Sequence, residues 1–336
     1  TNYILFEAPR GRPLILCFHG LMGAVHQFES LGQVLLHMGF SVVAFDMYGF
    51  GLSSTPPSKY SLRQWSRQAE ELLNHLNYPA AFEGPLYVLG YSMGALVACD
   101  FVLNNRDRVS RMALVAPAGL VKLERREKWG LGLLKAMRPV VGVMSHVGSL
   151  IMKRRKSSEF EPDVFDPSEF EHVTAQTEQR FKSDAQRLAK SWMKSLTDIP
   201  LSDSEALFRN VAEKCDVAIM FLWGGADCTC PLQDCVEQLA GIFPYSPVFC
   251  FERAGHSLLL EFVDIVADHV RRWMDQNPED HRFLHAVEYF RLHRVAGRMS
   301  ASPAAAPPPI PEQPKPMFDA PPGPAHSPTH FAPLPR

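Results

Sequence analysis

The chemistry of this chain centres on Gly90-Tyr91-Ser92-Met93-Gly94, a Gly-x-Ser-x-Gly pentapeptide between the apolar run Leu86-Tyr87-Val88-Leu89 and a helical pattern starting at Ala95. A serine on so tight a strand-to-helix turn stands clear of its neighbours, and glycines two positions either side relieve the crowding. The helix that follows points its N-terminus at negative charge developing on a substrate. A serine hydroxyl is a weak nucleophile until a base takes its proton, and a neutral imidazole needs a partner to fix its tautomer. His256, in Ala254-Gly255-His256, is the candidate base. Asp227, in Trp223-Gly224-Gly225-Ala226-Asp227, is the candidate acid. Both follow apolar strands, so both are expected at the same sheet edge as Ser92. The plainer alternatives are that His256 caps a helix and that Asp227 starts a turn before Pro231.

These residues need a scaffold, and the chain alternates apolar strands with helical patterns. Leu14-Ile15-Leu16-Cys17-Phe18 reads as a buried strand, followed by an amphipathic helix over 27–38 that Gly39 stops. Ser41-Val42-Val43-Ala44-Phe45 is the next strand, and Ser61-Leu62-Arg63-Gln64 matches a capping box opening a helix to about residue 77. After the serine turn comes a strand at 112–116. The rhythm then breaks, with helical patterns but no buried strand up to residue 215. It resumes with a strand at 217–223, a helix at 233–243, a strand at 248–251 and a helix at 258–274. Continuous apolar strands separated by helices mean a parallel sheet covered on both faces. The expected organisation is therefore a core of residues 1–119 and 216–278, interrupted by a helical insertion at 120–215 over the C-terminal sheet edge, where open α/β sheets hold ligands. A terminal helix is expected at 279–300, packed on the core. Residues 301–336 are dominated by proline and expected to be disordered.

In this order the motifs resemble the α/β-hydrolase fold, of the cap-bearing serine hydrolase type that includes esterases, monoacylglycerol-lipase-like and prolyl-aminopeptidase-like enzymes. The resemblance rests on His19-Gly20-Leu21-Met22-Gly23, Asp46-Met47-Tyr48-Gly49-Phe50-Gly51-Leu52-Ser53, the Ser92 pentapeptide, Trp223 to Asp227 with Pro231, and Ala254-Gly255-His256. It implies a mostly parallel central sheet with helices on both faces and a helical cap. It also implies the chain order Ser92…Asp227…His256, and the backbone N–H groups of Leu21 and Met93 as oxyanion donors. His19 is expected to brace its loop. Asp46 precedes Ser92, the wrong order for the acid, and reads as loop scaffolding. No cofactor or metal is called for.

Residue identity narrows the chemistry. Epoxide hydrolases and haloalkane dehalogenases of this fold carry aspartate where Ser92 stands. Prolyl aminopeptidases usually have tryptophan where this chain has Met93, and carbon–carbon bond hydrolases often have asparagine in place of Tyr91. The expected activity is hydrolysis of a carboxylic ester, small or lipid-like, through an acyl-enzyme. Alternatives are an aminopeptidase or amidase, a carbon–carbon bond hydrolase, or a non-catalytic binding module on the same scaffold.

Composition agrees with a globular protein. Of 336 residues, 46% are hydrophobic and 21% charged, and the net charge of −2 gives no field that attracts nucleic acid. No apolar run reaches the roughly 20 residues a spanning helix needs. The chain opens at Thr1 directly into a strand-like segment, so a fragment lacking its targeting region is expected. Seven cysteines without framework spacing suit a reducing, intracellular location. Three of them, Cys228, Cys230 and Cys235, read as buried or incidental thiols, not metal ligands. Residues 129–151 carry an apolar stripe at helical spacing, interrupted by Pro139 and flanked by Lys122, Arg125, Arg126 and Lys128 before and Lys153-Arg154-Arg155-Lys156 after. That segment is read as a pocket roof or as a lid in peripheral contact with an anionic membrane.

Overall fold

The computed structural model describes residues 1–56, 59–122, 167–275, 287–295 and 298–303. Its described strands form one sheet of nine, in which the seven central strands run parallel. In sequence order they are β1 (Tyr3–Phe6), β2 (Leu14–Phe18), β3 (Ser41–Phe45), β4 (Leu86–Tyr91), β5 (Val109–Val115), β6 (Ala218–Gly224), β7 (Val248–Phe251), β8 (Val287–Val295) and β9 (Arg298–Pro303). Across the sheet the order is β1-β3-β2-β4-β5-β6-β7-β8-β9, with β1 and β9 antiparallel to their neighbours. The described α-helices are α1 (Glu29–His37), α2 (Leu62–His75), α3 (Met93–Asn104), α4 (Pro167–Asp198), α5 (Glu205–Lys214), α6 (Val236–Ile242), α7 (Leu258–Glu261) and α8 (Val263–Asp275).

The central strands are apolar at every position because successive side chains serve opposite faces and both faces are covered. Leu14, Leu16, Phe18, Leu86 and Val88 enter one core layer with Trp65 of α2, Leu96 of α3 and Leu239 of α6. The intervening Ile15, Cys17, Tyr87 and Leu89 enter the other, with Leu31 and Leu35 of α1 and Val266 and Val270 of α8. The register then levels the strand ends: Phe18 pairs with Gly90, Tyr91 with Val115, and Val115 with Leu222. Loops leaving β2, β4 and β6 therefore emerge at one edge.

Two expectations are corrected. The segment read as a terminal helix over 279–300 contains β8 and β9, and β9 reaches Pro303, into the part read as disordered. The open edge of β7 explains this, since its backbone needs a partner. Val287 pairs with Val248 and Phe290 with Phe251. The Phe290 ring also stacks on Phe251, with centroids 5.5 Å apart, and Val287, Tyr289 and Val295 are residue types that favour strands. Second, α5 was counted in the insertion, yet Phe208 and Val211, one helical turn apart, are fully buried in the layer holding α3 and α6.

The insertion between β5 and β6 closes on itself before α5. The Ser204 amide donates to Gly119 O at 2.7 Å and the Asp203 amide to Val121 O at 3.1 Å. The amphipathic stretch 129–151, its basic flanks at 125–128 and 153–156, and the tail 304–336 lie outside the described residues.

Candidate active site

Ser92 sits between β4 and α3 at φ 52° and ψ −120°, a left-handed conformation that side chains rarely adopt. Such a residue costs on the order of 1–3 kcal/mol and persists only where its surroundings over-determine it. Here they do. The Ser92 amide donates to Val115 O at 3.0 Å, and its carbonyl accepts from Ala95 N at 3.0 Å and Ala118 N at 3.1 Å. Gly90 and Gly94 are required sterically. A Cβ on Gly90 would lie 2.7 Å from the Ala95 Cα, and one on Gly94 would press into the Phe18 carbonyl.

The structure brings Ser92, His256 and Asp227 together from three strand ends. Ser92 Oγ lies 2.9 Å from His256 Nε2, and His256 Nδ1 lies 2.9 Å from Asp227 Oδ2. The other carboxylate oxygen, Oδ1, accepts from the amides of Thr229 and Cys230, both at 2.8 Å. With Asp227 accepting at Nδ1–H, Nε2 faces the serine hydroxyl as an acceptor. That is the tautomer a base needs. All three residues are buried. The acid and base loops are joined by backbone bonds, Gly225 N to Phe251 O at 2.8 Å and Ala226 N to Ala254 O at 2.9 Å.

Leu21 and Met93 flank the serine differently. Met93 is the first residue of α3, so its amide has no partner within the helix. Leu21 occupies the turn Gly20–Gly23, closed by a 3.1 Å bond from Gly23 N to Gly20 O, with Met22 at φ 64°. A Cβ on Gly20 would lie 3.2 Å from the Ser92 Cβ, so this turn lies directly against the serine. His19 braces it as expected. Its Nε2 accepts from Met47 N at 3.0 Å, which leaves the proton on Nδ1 to donate to Gly20 O at 2.8 Å.

Asp46 is fully buried, and its carboxylate joins three segments by accepting from Asn2 Nδ2 at 2.7 Å, Val25 N at 2.8 Å and Leu52 N at 2.7 Å. Sequence reasoning missed Tyr91. Its hydroxyl donates to His256 O at 3.2 Å and its ring lies 5.7 Å from the imidazole. The signal was present, since an aromatic residue inside the pentapeptide can reach a neighbouring strand end.

Three neighbouring thiols, Cys230, Cys235 and Cys250, are buried and held in the protonated form. Burial pushes Cys235 and Cys250 up to about 12 and Cys230 well above its usual value, with nearby carboxylates adding to the effect. Reactive cysteines are instead exposed and electropositive. Among the described residues, no three His, Cys, Asp or Glu side chains group as a metal site.

A family model for the alpha/beta hydrolase fold matches residues 13–263, and the chain belongs to that family. A curated relative from Metapseudomonas resinovorans, "2-hydroxy-6-oxo-6-(2'-aminophenyl)hexa-2,4-dienoic acid hydrolase", is 29% identical over 122 residues, 36% of this chain and 40% of the relative. A soluble epoxide hydrolase from Corynebacterium sp. (strain C12) is 31% identical over 116 residues, 34% of this chain and 38% of the relative. These matches span less than half the length of either relative. A thermophilic esterase structure from Thermogutta terrifontis superposes with a TM-score of 0.60 at 20% identity, covering 81% of this chain and 92% of that one. At that identity the likeness speaks for the fold.

Proposed function

We propose that the protein is a serine hydrolase that cleaves a carboxylic ester through an acyl-enzyme, with Ser92 as nucleophile, His256 as base and Asp227 as its orienting acid. The observation that carries this is the pair of 2.9 Å contacts joining Ser92, His256 and Asp227 on a strained, buried turn. In this reading Ser92 Oγ attacks the ester carbon as its proton passes to His256 Nε2, and Asp227 steadies the imidazolium that forms. The carbonyl electron pair moves onto oxygen as an oxyanion, held by the amides of Leu21 and Met93. Collapse breaks the bond to the alcohol, which leaves with the Nε2 proton. A water then gives its proton to Nε2 and attacks the acyl-enzyme, and the carboxylic acid departs as Ser92 is reprotonated.

The insertion would act as a cap over this site, and a lipid-like acyl group is the substrate class we favour. A p-nitrophenyl ester series graded by chain length, run beside monoacylglycerols, tests the reading. Turnover of at least one ester, abolished in Ser92→Ala, is expected; no turnover of any ester by folded protein contradicts it. A second reading comes from the Metapseudomonas relative, whose name denotes a dienoic acid hydrolase. Faster turnover of that acid than of every ester would favour it.

A further inference from the structure

We propose that Arg187, in the insertion, is a positioning residue for the turn that carries the Leu21 amide, so that docking of α4 sets the oxyanion site. The inference rests on the hydrolase reading above. Helix α4 is broken at Asp184, whose φ of −143° and ψ of 41° are not helical. Beyond that break one face of α4 grips the loop after β3. Arg187, held by Asp184, donates from Nη2 to Gly51 O at 2.5 Å and from Nη1 to Ser53 O at 3.5 Å. Ser191 Oγ donates to Gly49 O at 2.7 Å and accepts from the Tyr60 hydroxyl at 3.0 Å. Lys194 Nζ reaches Pro56 O at 3.2 Å, and Asp198 Oδ2 accepts from Tyr60 N at 2.9 Å. Residues 187, 191, 194 and 198 recur at steps of four, three and four, which places them on one helix face.

The gripped loop is in turn tied to both sides of the Leu21 turn. Asp46 bonds Leu52 N with one carboxylate oxygen and Val25 N, just past the turn, with the other. His19 bonds Met47 N and Gly20 O, just before it. A Cβ on Gly51 would collide with the Asp46 carboxylate, so the loop and the acid fit without slack. Releasing Arg187 frees the Gly51 and Ser53 carbonyls and lets the loop shift. Asp46 and His19 then transmit the shift to Leu21. The Ser92–His256–Asp227 contacts share none of these bonds, so oxyanion binding should suffer while proton transfer does not. Displacements of about 1 Å far from the reacting atoms can cost up to about a hundredfold in rate.

The test uses the full chain as wild type, Arg187→Met, Arg187→Lys and Ser191→Ala, with active sites titrated by a fluorophosphonate. A short soluble ester gives kcat and KM, and an aryl trifluoromethyl ketone, which adds to the serine as a tetrahedral oxyanion, gives affinity and a ¹⁹F resonance. For Arg187→Met we expect kcat per titrated site and ketone affinity to fall together by about tenfold. KM, Tm and the acid limb of the pH profile should hold, and the adduct ¹⁹F resonance should move. Arg187→Lys should recover part of the loss, and Ser191→Ala should lose less than Arg187→Met. Ketone affinity and kcat within twofold of wild type in Arg187→Met would overturn the proposal. So would a loss accounted for by lower Tm or fewer titratable sites, which marks a structural role. Wild-type protein that reacts with neither reagent would instead remove the hydrolase reading, and this inference with it.

Discussion

At the scale of single residues, Asp227 receives three hydrogen bonds, and only one comes from His256. Replacing Asp227 with asparagine keeps the two loop bonds possible in shape but presents an amide to Nδ1, which favours the wrong imidazole tautomer. Turnover should fall by about four orders of magnitude with little change in Tm, as steady-state kinetics and a thermal melt would show. Near wild-type rates in Asp227→Asn would place the acid elsewhere. That Ser92, Asp227 and His256 meet at one sheet edge was legible because each lies in a short motif at a strand end. The bonding partners of their supports were not. Asp46 to Val25 spans 21 residues, Met47 to His19 spans 28 and Arg187 to Gly51 spans 136, so only the folded chain brings those partners together.

At the scale of elements, strands of the central sheet were legible because a strand buried on both faces is an uninterrupted apolar run. The edge strands β8 and β9 were harder. Residues 287–303 gain their strand conformation from the free edge of β7, a tertiary cause that periodicity does not register. That edge also sets a pH dependence. His269 of α8 packs against the rings of Phe249, Phe251 and Phe290, at centroid distances of 5.1, 5.0 and 5.3 Å. Burial holds its pKa below the ordinary 6.5, with Arg272 acting the same way and the Ile265 carbonyl and Asp268 opposing. The unfolded chain therefore binds this proton at higher pH than the folded one. The stability is fully present above pH 6.5 and declines as pH falls below it. His269→Phe should flatten the decline in Tm between pH 7.5 and pH 5.5, measured in low-salt buffer; an unchanged slope would assign it to other groups. For α5, Phe208→Ala should cost about 3–5 kcal/mol of unfolding free energy, the value for a fully buried aromatic. A cost under about 1 kcal/mol in a denaturant titration would return α5 to the insertion.

At the scale of the whole molecule, the sheet edge presents Ser92, Asp227 and His256, and the insertion is tied off by the bonds Gly119–Ser204 and Val121–Asp203. Among the described residues, no helix is long and apolar enough to cross a membrane. Peripheral contact through the insertion is a separate proposal, motivated by Lys153-Arg154-Arg155-Lys156. Changing these four to glutamine should weaken any rise in long-chain ester turnover on anionic vesicles, since each near-surface charge contributes about 1 kcal/mol of attraction. Short soluble esters should be hydrolysed as before. Vesicle-independent rates in the parent protein would leave a plain pocket roof. The central claim, a base-activated serine, is tested most directly by fluorophosphonate labelling with mass mapping of the adduct. One adduct per chain is expected, on Ser92, lost in Ser92→Ala and slowed severely in His256→Ala. Folded wild-type protein that takes no label, or takes it on another residue, would contradict it.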